Sequence, residues 1–205
     1  MTTRAAAVQT GVNLEYFTVA WNLLEAIVAL ACGALASSIA LIGFGLDSLI
    51  EVSSGGILLW RLRSDHDDSR RGAVDERALK LVGVSLLALA TYVAADSVVS
   101  LVRREAPEKS LPGIGLAVAS LIAMPLLARR KKRVARAIAS PAFEADSRQT
   151  DICAYLSAIL LLGLLLNAAF GWWWADPAAG VVMVPLIAYE GTQAWRGKTC
   201  CANCG

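Results

Sequence analysis

Charge is what this sequence has least of. Only 18% of its 205 residues are Asp, Glu, Lys or Arg, against about 25% in an ordinary soluble domain. Hydrophobic residues make up 57%, and the mean hydropathy is +0.56. A soluble domain of this length must cover its surface with polar groups, and too few are present. The same figures exclude a disordered chain. Cysteine is scarce as well: five in the whole chain do not make a small disulfide scaffold. Net charge is only +2, which gives no support to a general nucleic-acid role. The sequence has no P-loop, no Rossmann fingerprint and no nucleophile with a base and an orienting partner, so an enzyme or an ATP-driven pump is not expected. Met1 to Gln9 carries one Arg and no secretory apolar region with a cleavage site, so no processing is expected either.

What is there is apolar sequence in long runs. Six can be read: Leu14–Ala36, Ile39–Leu62, Leu79–Val102, Leu111–Ala128, Asp151–Trp174 and Pro177–Trp195. At about 1.5 Å per residue each can cross a hydrocarbon core of about 30 Å, the fourth only just. Helices are predicted because lipid offers no partners to open backbone groups, and the runs lack the alternation of a barrel strand. Sixteen of the nineteen Lys and Arg residues fall on one side of this layout, and only Arg103, Arg104 and Lys109 on the other. The positive-inside bias then predicts both termini in the cytoplasm, with Trp172, Trp173 and Trp174 at the outer interface. Arg129 to Arg136 reads as a basic loop against anionic lipid heads. The expected fold class is an all-α integral membrane protein of six transmembrane helices. Residues 1–197 form the membrane domain and 198–205 a cytoplasmic Cys-rich tail.

The informative residues are acids inside these runs. Asp47 and Glu51 are four apart near the middle of the second run, so both project from one helical face. Each charge at mid-membrane costs about 2.5–3.5 kcal/mol on the insertion scale, and the pair must face the bundle. A divalent cation neutralises both; when it leaves, one of two such close carboxylates holds a proton. Metal-for-proton exchange thereby has a physical basis. The bland alternative is a pair hydrogen-bonded to neighbouring helices. Gly43, Gly45, Gly55, Gly56, Ser53 and Ser54 around the pair suit close helix packing. Asn22, Glu25 and Asp96 could line a cation or proton path or serve as interhelical hydrogen-bonding groups. On the fifth helix Gln149 and Cys153 are again four apart, with Asp151 to a different side; Cys153 reads equally as ligand or apolar filler.

The stretch Ser38-Ile-Ala-Leu-Ile-Gly-Phe-Gly-Leu-Asp47-Ser-Leu-Ile-Glu51 resembles the second-helix signature of the cation diffusion facilitator (cation efflux) transporters. The six-helix layout and the basic stretch before helix five agree. The resemblance implies a divalent-metal exporter driven by proton antiport through alternating access, usually dimeric, in the inner (plasma) membrane. Its transport site is two acids on helix two and a His-x-x-x-Asp pair on helix five. Asp47 and Glu51 match the first pair. Gln149 and Cys153 take the places of the second in the preferred register, and Thr150 and Ala154 in the alternative one. Thr150 and Asp151 remain possible substitutes. A thiolate tilts preference toward softer metals such as zinc, cadmium or copper(I), and away from magnesium or calcium. Zinc is the expected cargo, with cadmium, iron and manganese also open. No tightly bound cofactor is expected. The family's usual C-terminal cytoplasmic domain has no counterpart in Gly197 to Gly205, so the expected homodimer would be held by helices.

Two further clusters call for a reading. Cys200, Cys201 and Cys204 would be reduced in the cytoplasm and could capture a soft metal, though three ligands fall short of a closed zinc site. Palmitoylation or an unliganded tail are the rivals. His66, the only histidine, lies in Asp65-His-Asp-Asp68 and reads as a solvated charged loop. A rival function is a non-transporting membrane metal sensor or assembly partner on the same scaffold; an exporter of small organic cations would leave Cys153 and the thiol tail unexplained.

Overall fold

The computed structural model describes residues 4–63, 68–105 and 107–196, and all of its elements are helices. They are α1 (Arg4–Ala36), α2 (Ile39–Arg63), α3 (Asp68–Arg103), α4 (Leu111–Ile138), α5 (Pro141–Phe170) and α6 (Ala175–Trp195). Five are long and apolar enough to cross a membrane. The sixth, of 21 residues, is not among these five; it carries Asp176 and Glu190, both buried. It packs most extensively on α3, not on its chain neighbour α5. The other close pairs are α1 with α2 and α4 with α5; α2 touches α1, α3, α5 and α6 and so sits at the centre.

The radial pattern is inverted relative to a water-soluble bundle. Ile27, Ile122, Leu126 and Leu162 are exposed, while Glu15, Asn22, Glu25, Asp47, Glu51 and Lys131 are buried. Lipid accounts for this arrangement, since it solvates Leu and Ile and rejects carboxylates. Phe44, Leu86, Val93, Met124, Leu156 and Met183 fill the main core, and Leu58, Val134, Ile138 and Phe143 a smaller one at the end where α4 turns into α5.

Helix continues about ten residues beyond several of the apolar runs at one end of the bundle. α1 starts ten residues before Leu14, α3 starts at Asp68, and α4 runs ten residues past Ala128. The expected loop between α4 and α5 is therefore a short turn. Ala139 adopts a left-handed conformation (φ 50°) and closes α4. Ser140 then caps α5, accepting from the Phe143 amide, with Pro141 in the first turn. Arg129 to Arg136 is thus a helical segment. It is not uniformly a lipid-facing surface either, because Lys131 is fully buried. At the opposite end α5 stops at Phe170, four residues short of the predicted limit; Gly171 takes the positive φ that ends it. Trp172 and Trp174 stack 5.1 Å apart beyond it.

Candidate functional site

Spacing along each helix dictates what faces the interior. On α1 the buried residues Gly11, Glu15, Thr18, Asn22, Glu25 and Ala29 recur every three or four positions, one stripe of the helix. On α2 the stripe is Asp47, Ser48, Glu51 and Gly55; on α5 it is Ser147, Thr150, Cys153 and Ser157. α4 contributes Ser120 and Lys131, and α6 Asp176 and Glu190. The polar seams therefore converge, and three layers of contacts result.

At the α2 N-terminus, Asp176 accepts from the Ser38 hydroxyl at 2.5 Å and from the Ala40 amide at 3.4 Å. A carboxylate is well placed at the positive end of a helix, and this contact ties α6 to α2. In the middle layer, Glu25 accepts from Trp21 Nε1 at 2.8 Å, from Ser48 Oγ at 3.4 Å and from Ser120 Oγ. Beside it, Asn22 Nδ2 donates to Glu51 Oε2 at 2.6 Å. Asp47 is 1% exposed, and its Oδ1 has no hydrogen-bond partner among the described residues. An orphaned carboxylate oxygen at this depth is costly unless a proton or a cation serves it. Glu25 lies within electrostatic reach of Asp47, and Asp47, Glu190 and Glu25 within that of Glu51.

Cys153 on α5 is fully buried, and Glu51, Glu25, Asp47 and Glu190 all act on it electrostatically. The structure thus brings Asp47, Glu51 and Cys153 into one interior region. Gln149 is half-buried, with its Nε2 enclosed and without a partner among the described residues. Asp151 lies elsewhere, on the α4–α5 seam, where its carboxylate pairs with Lys132. Thr150 is buried and donates to the Asp146 carbonyl at 3.2 Å, while Ala154 is half-buried. Among the described residues no three His, Cys, Asp or Glu side chains meet at ligating distance. In this conformation the Asn22 amide is the group at Glu51. Asp96 on α3 lies outside the cluster, half-buried beside Tyr92. Cys200, Cys201, Cys204 and His66 fall outside the described residues, as does the boundary at residue 197.

The third layer was not anticipated. Lys131 donates to Asp146 Oδ2, and its Nζ lies 3.0 Å from Glu15 Oε2. Glu190 went unnoticed too. Glu15 carried a signal, standing seven residues before Asn22 on the stripe that also holds Glu25. Glu190 carried none beyond being an acid near the end of the least apolar run.

The structure is thus a polytopic helical bundle with carboxylates gathered in its interior. Residues 78–196 match the family of cation efflux transmembrane domains, and the chain belongs to that family. The match spans most of α3 through α6. Over 173 residues the chain is 27% identical to an uncharacterized transporter of Methanocaldococcus jannaschii, covering 82% of this chain and 61% of that protein. Over 88 residues it is 34% identical to the cation-efflux pump FieF of Shewanella oneidensis, covering 43% of this chain and 28% of that one. The chain thus matches less than two thirds of the length of either relative. The protein is a multi-pass membrane protein of a cation efflux family.

Proposed function

We propose that the protein exports a divalent transition-metal cation in exchange for protons, by alternating access. Zinc is the first candidate, with cadmium, iron and manganese as alternatives. Asp47 and Glu51 are the primary ligands, Cys153 the third, and Gln149 completes the shell. The protein sits in the inner membrane with both termini cytoplasmic and works as a homodimer.

The observation that carries this reading is the Asp47–Glu51 pair, buried one turn apart on the central helix, with an Asp47 oxygen unpartnered and Cys153 buried on α5. Two carboxylates cancel the charge of a divalent cation and so remove most of the cost of holding it in a low-dielectric interior. When the cation departs, two uncompensated carboxylates cannot both stay ionised at this separation, and a proton replaces it. The same pair alternates between cation and proton, which is an exchange cycle. Asn22 positions Glu51 by donating to its Oε2 at 2.6 Å.

The test is metal flux into vesicles containing the purified chain under an imposed pH gradient. Gradient-dependent Zn²⁺ flux is expected from the wild type, with at least a ten-fold loss in Asp47→Ala plus Glu51→Ala. Equal flux from the two proteins overturns the proposal.

A further inference from the structure

Near the α4–α5 turn, Lys132 and Arg136 of α4 and Glu144, Ser147 and Arg148 of α5 line an open cleft of about 260 Å³. It is separate from the polar axis. Lys131 turns inward to Glu15 and Asp146, whereas Lys132 turns outward to Asp151. Three cations and one carboxylate line the cleft, an excess of positive charge. Arg148 pairs with Glu144 at 2.9 Å, and Arg136 is exposed and enters no ion pair among the described residues. The four side chains of the Lys132–Asp151 and Arg148–Glu144 pairs are all at least 32% exposed. Ion pairs so exposed contribute about 0–1 kcal/mol, so neither withholds its cation from a stronger acceptor.

Depth in the membrane says what that acceptor is. The apolar run of α4 ends at Ala128, so Lys132 and Arg136 stand about 6 and 12 Å beyond it along the helix. Helical side chains slope toward the N-terminus, which brings the Arg136 guanidinium back toward the bilayer. Arg148 stands about 4.5 Å before Asp151, where the apolar run of α5 begins. The three cations thus converge on the headgroup layer, which lies just outside the hydrocarbon. The two helix faces continue inward as apolar surface. Ile122 is two heptads before Arg136, and Tyr155 and Leu162 are one and two heptads after Arg148, separations that keep one face of a helix. All three are exposed, and α4 and α5 pack directly on each other. A basic cleft therefore sits at the head of an apolar track.

We propose that this cleft is a binding site for one anionic glycerophospholipid, with its phosphodiester on Arg136, Arg148 and Lys132 and its acyl chains along the α4–α5 seam. Arginine suits the task, since its planar guanidinium binds phosphate oxygens two at a time. The volume is slightly below that of drug-sized pockets, about 300–1,000 Å³, and fits a headgroup whose tails lie outside in the bilayer. A zwitterionic lipid gains less, because its own ammonium meets the same three cations. A free phosphate satisfies the cations and leaves the apolar track unused. The bound lipid bridges α4 and α5 at the end where they turn into each other.

The experiment is native mass spectrometry of the full chain in a neutral detergent, without metal, titrated with phosphatidylglycerol or with phosphatidylcholine. One phosphatidylglycerol per chain is expected to be retained, roughly ten-fold more tightly than phosphatidylcholine. Arg136→Gln plus Arg148→Gln is expected to remove that difference. Arg130→Gln plus Arg133→Gln takes the same charge from exposed positions of α4 outside the cleft, and is expected to leave it in place. Equal retention of the two lipids by the wild type overturns the proposal. An equal loss in the two double variants does so as well, because it marks a diffuse surface potential. Millimolar inorganic phosphate is expected to leave the lipid bound, and its displacement would overturn the lipid as the occupant in favour of a free phosphate. Should the Arg136, Arg148 variant not elute as a single species, Arg136→Gln alone carries the test: weaker retention of phosphatidylglycerol is expected, and unaltered retention overturns the site. Because no metal is present, a failure here is distinct from a failure of Zn²⁺ flux.

Discussion

Glu25 receives donors from Trp21 on its own helix, Ser48 on α2 and Ser120 on α4, so one carboxylate joins three helices. Hydrogen bonds to a charged acceptor contribute about 1.5–3 kcal/mol, and truncation would strand three donors. Glu25→Ala is therefore expected to destabilise the fold by about 2–3 kcal/mol in thermal unfolding, and Glu25→Gln by less than half of that, since one acceptor oxygen remains. A melting temperature for Glu25→Ala equal to that of the wild type would show that the network carries no weight. At this scale the sequence was legible where an acid stood alone in apolar surroundings. Asp47 and Glu51 stood out because nothing else near them was charged. Lys131 did not, because it lies within Arg129 to Arg136, and a charge beside other charges reads as solvated whichever way its side chain turns. Hydropathy does not distinguish a lysine that reaches toward lipid heads from one turned into the bundle.

Among the elements, the six helices were legible in number and order, while their ends were not. An apolar run reports contact with lipid, whereas a helix continues for as long as its backbone bonds and caps allow. The Ser140-Pro141 start of α5 was a usable cap signal, and it places the helix ten residues before Asp151. The pairing of α3 with α6 was also hidden, because they are distant in sequence. Their approach depends on Gly83, where a Cβ would meet the Trp195 amide nitrogen at 2.5 Å and the Gly191 carbonyl oxygen at 2.8 Å. Both are backbone atoms, so α6 itself would have to shift. Gly83→Ala is expected to destabilise the protein by about 1–3 kcal/mol, in the range of overpacked cores. Gly56→Ala is the control: nothing lies within 4 Å of its Cβ position, and a helix-interior alanine is favoured by about 0.5–1 kcal/mol. Equal melting temperatures for Gly83→Ala and Gly56→Ala would contradict this account of the α3–α6 contact.

Taken as a whole, the molecule is an apolar shell around a polar axis. The scarcity of charge in the sequence is a scarcity on the outside. Many of the acids it has are spent along the axis, from Asp176 at one end through Glu25, Asp47, Glu51 and Glu190 to Glu15 and Asp146 at the other. The class of protein was legible from composition, and the family from the fourteen residues Ser38 to Glu51. The axis was only half legible, because which acids share it is decided by how the helices rotate against one another. The central claim is that the Asp47–Glu51 pair trades a metal ion for protons. The most direct measurement is the internal pH of sealed vesicles containing the chain, followed with a trapped pH dye as a Zn²⁺ pulse is applied outside. Entry of Zn²⁺ is expected to drive protons outward and raise the internal pH, and Asp47→Asn plus Glu51→Gln to abolish the change. Zn²⁺ entry with no movement of pH, or the same movement in the double variant, would contradict the account.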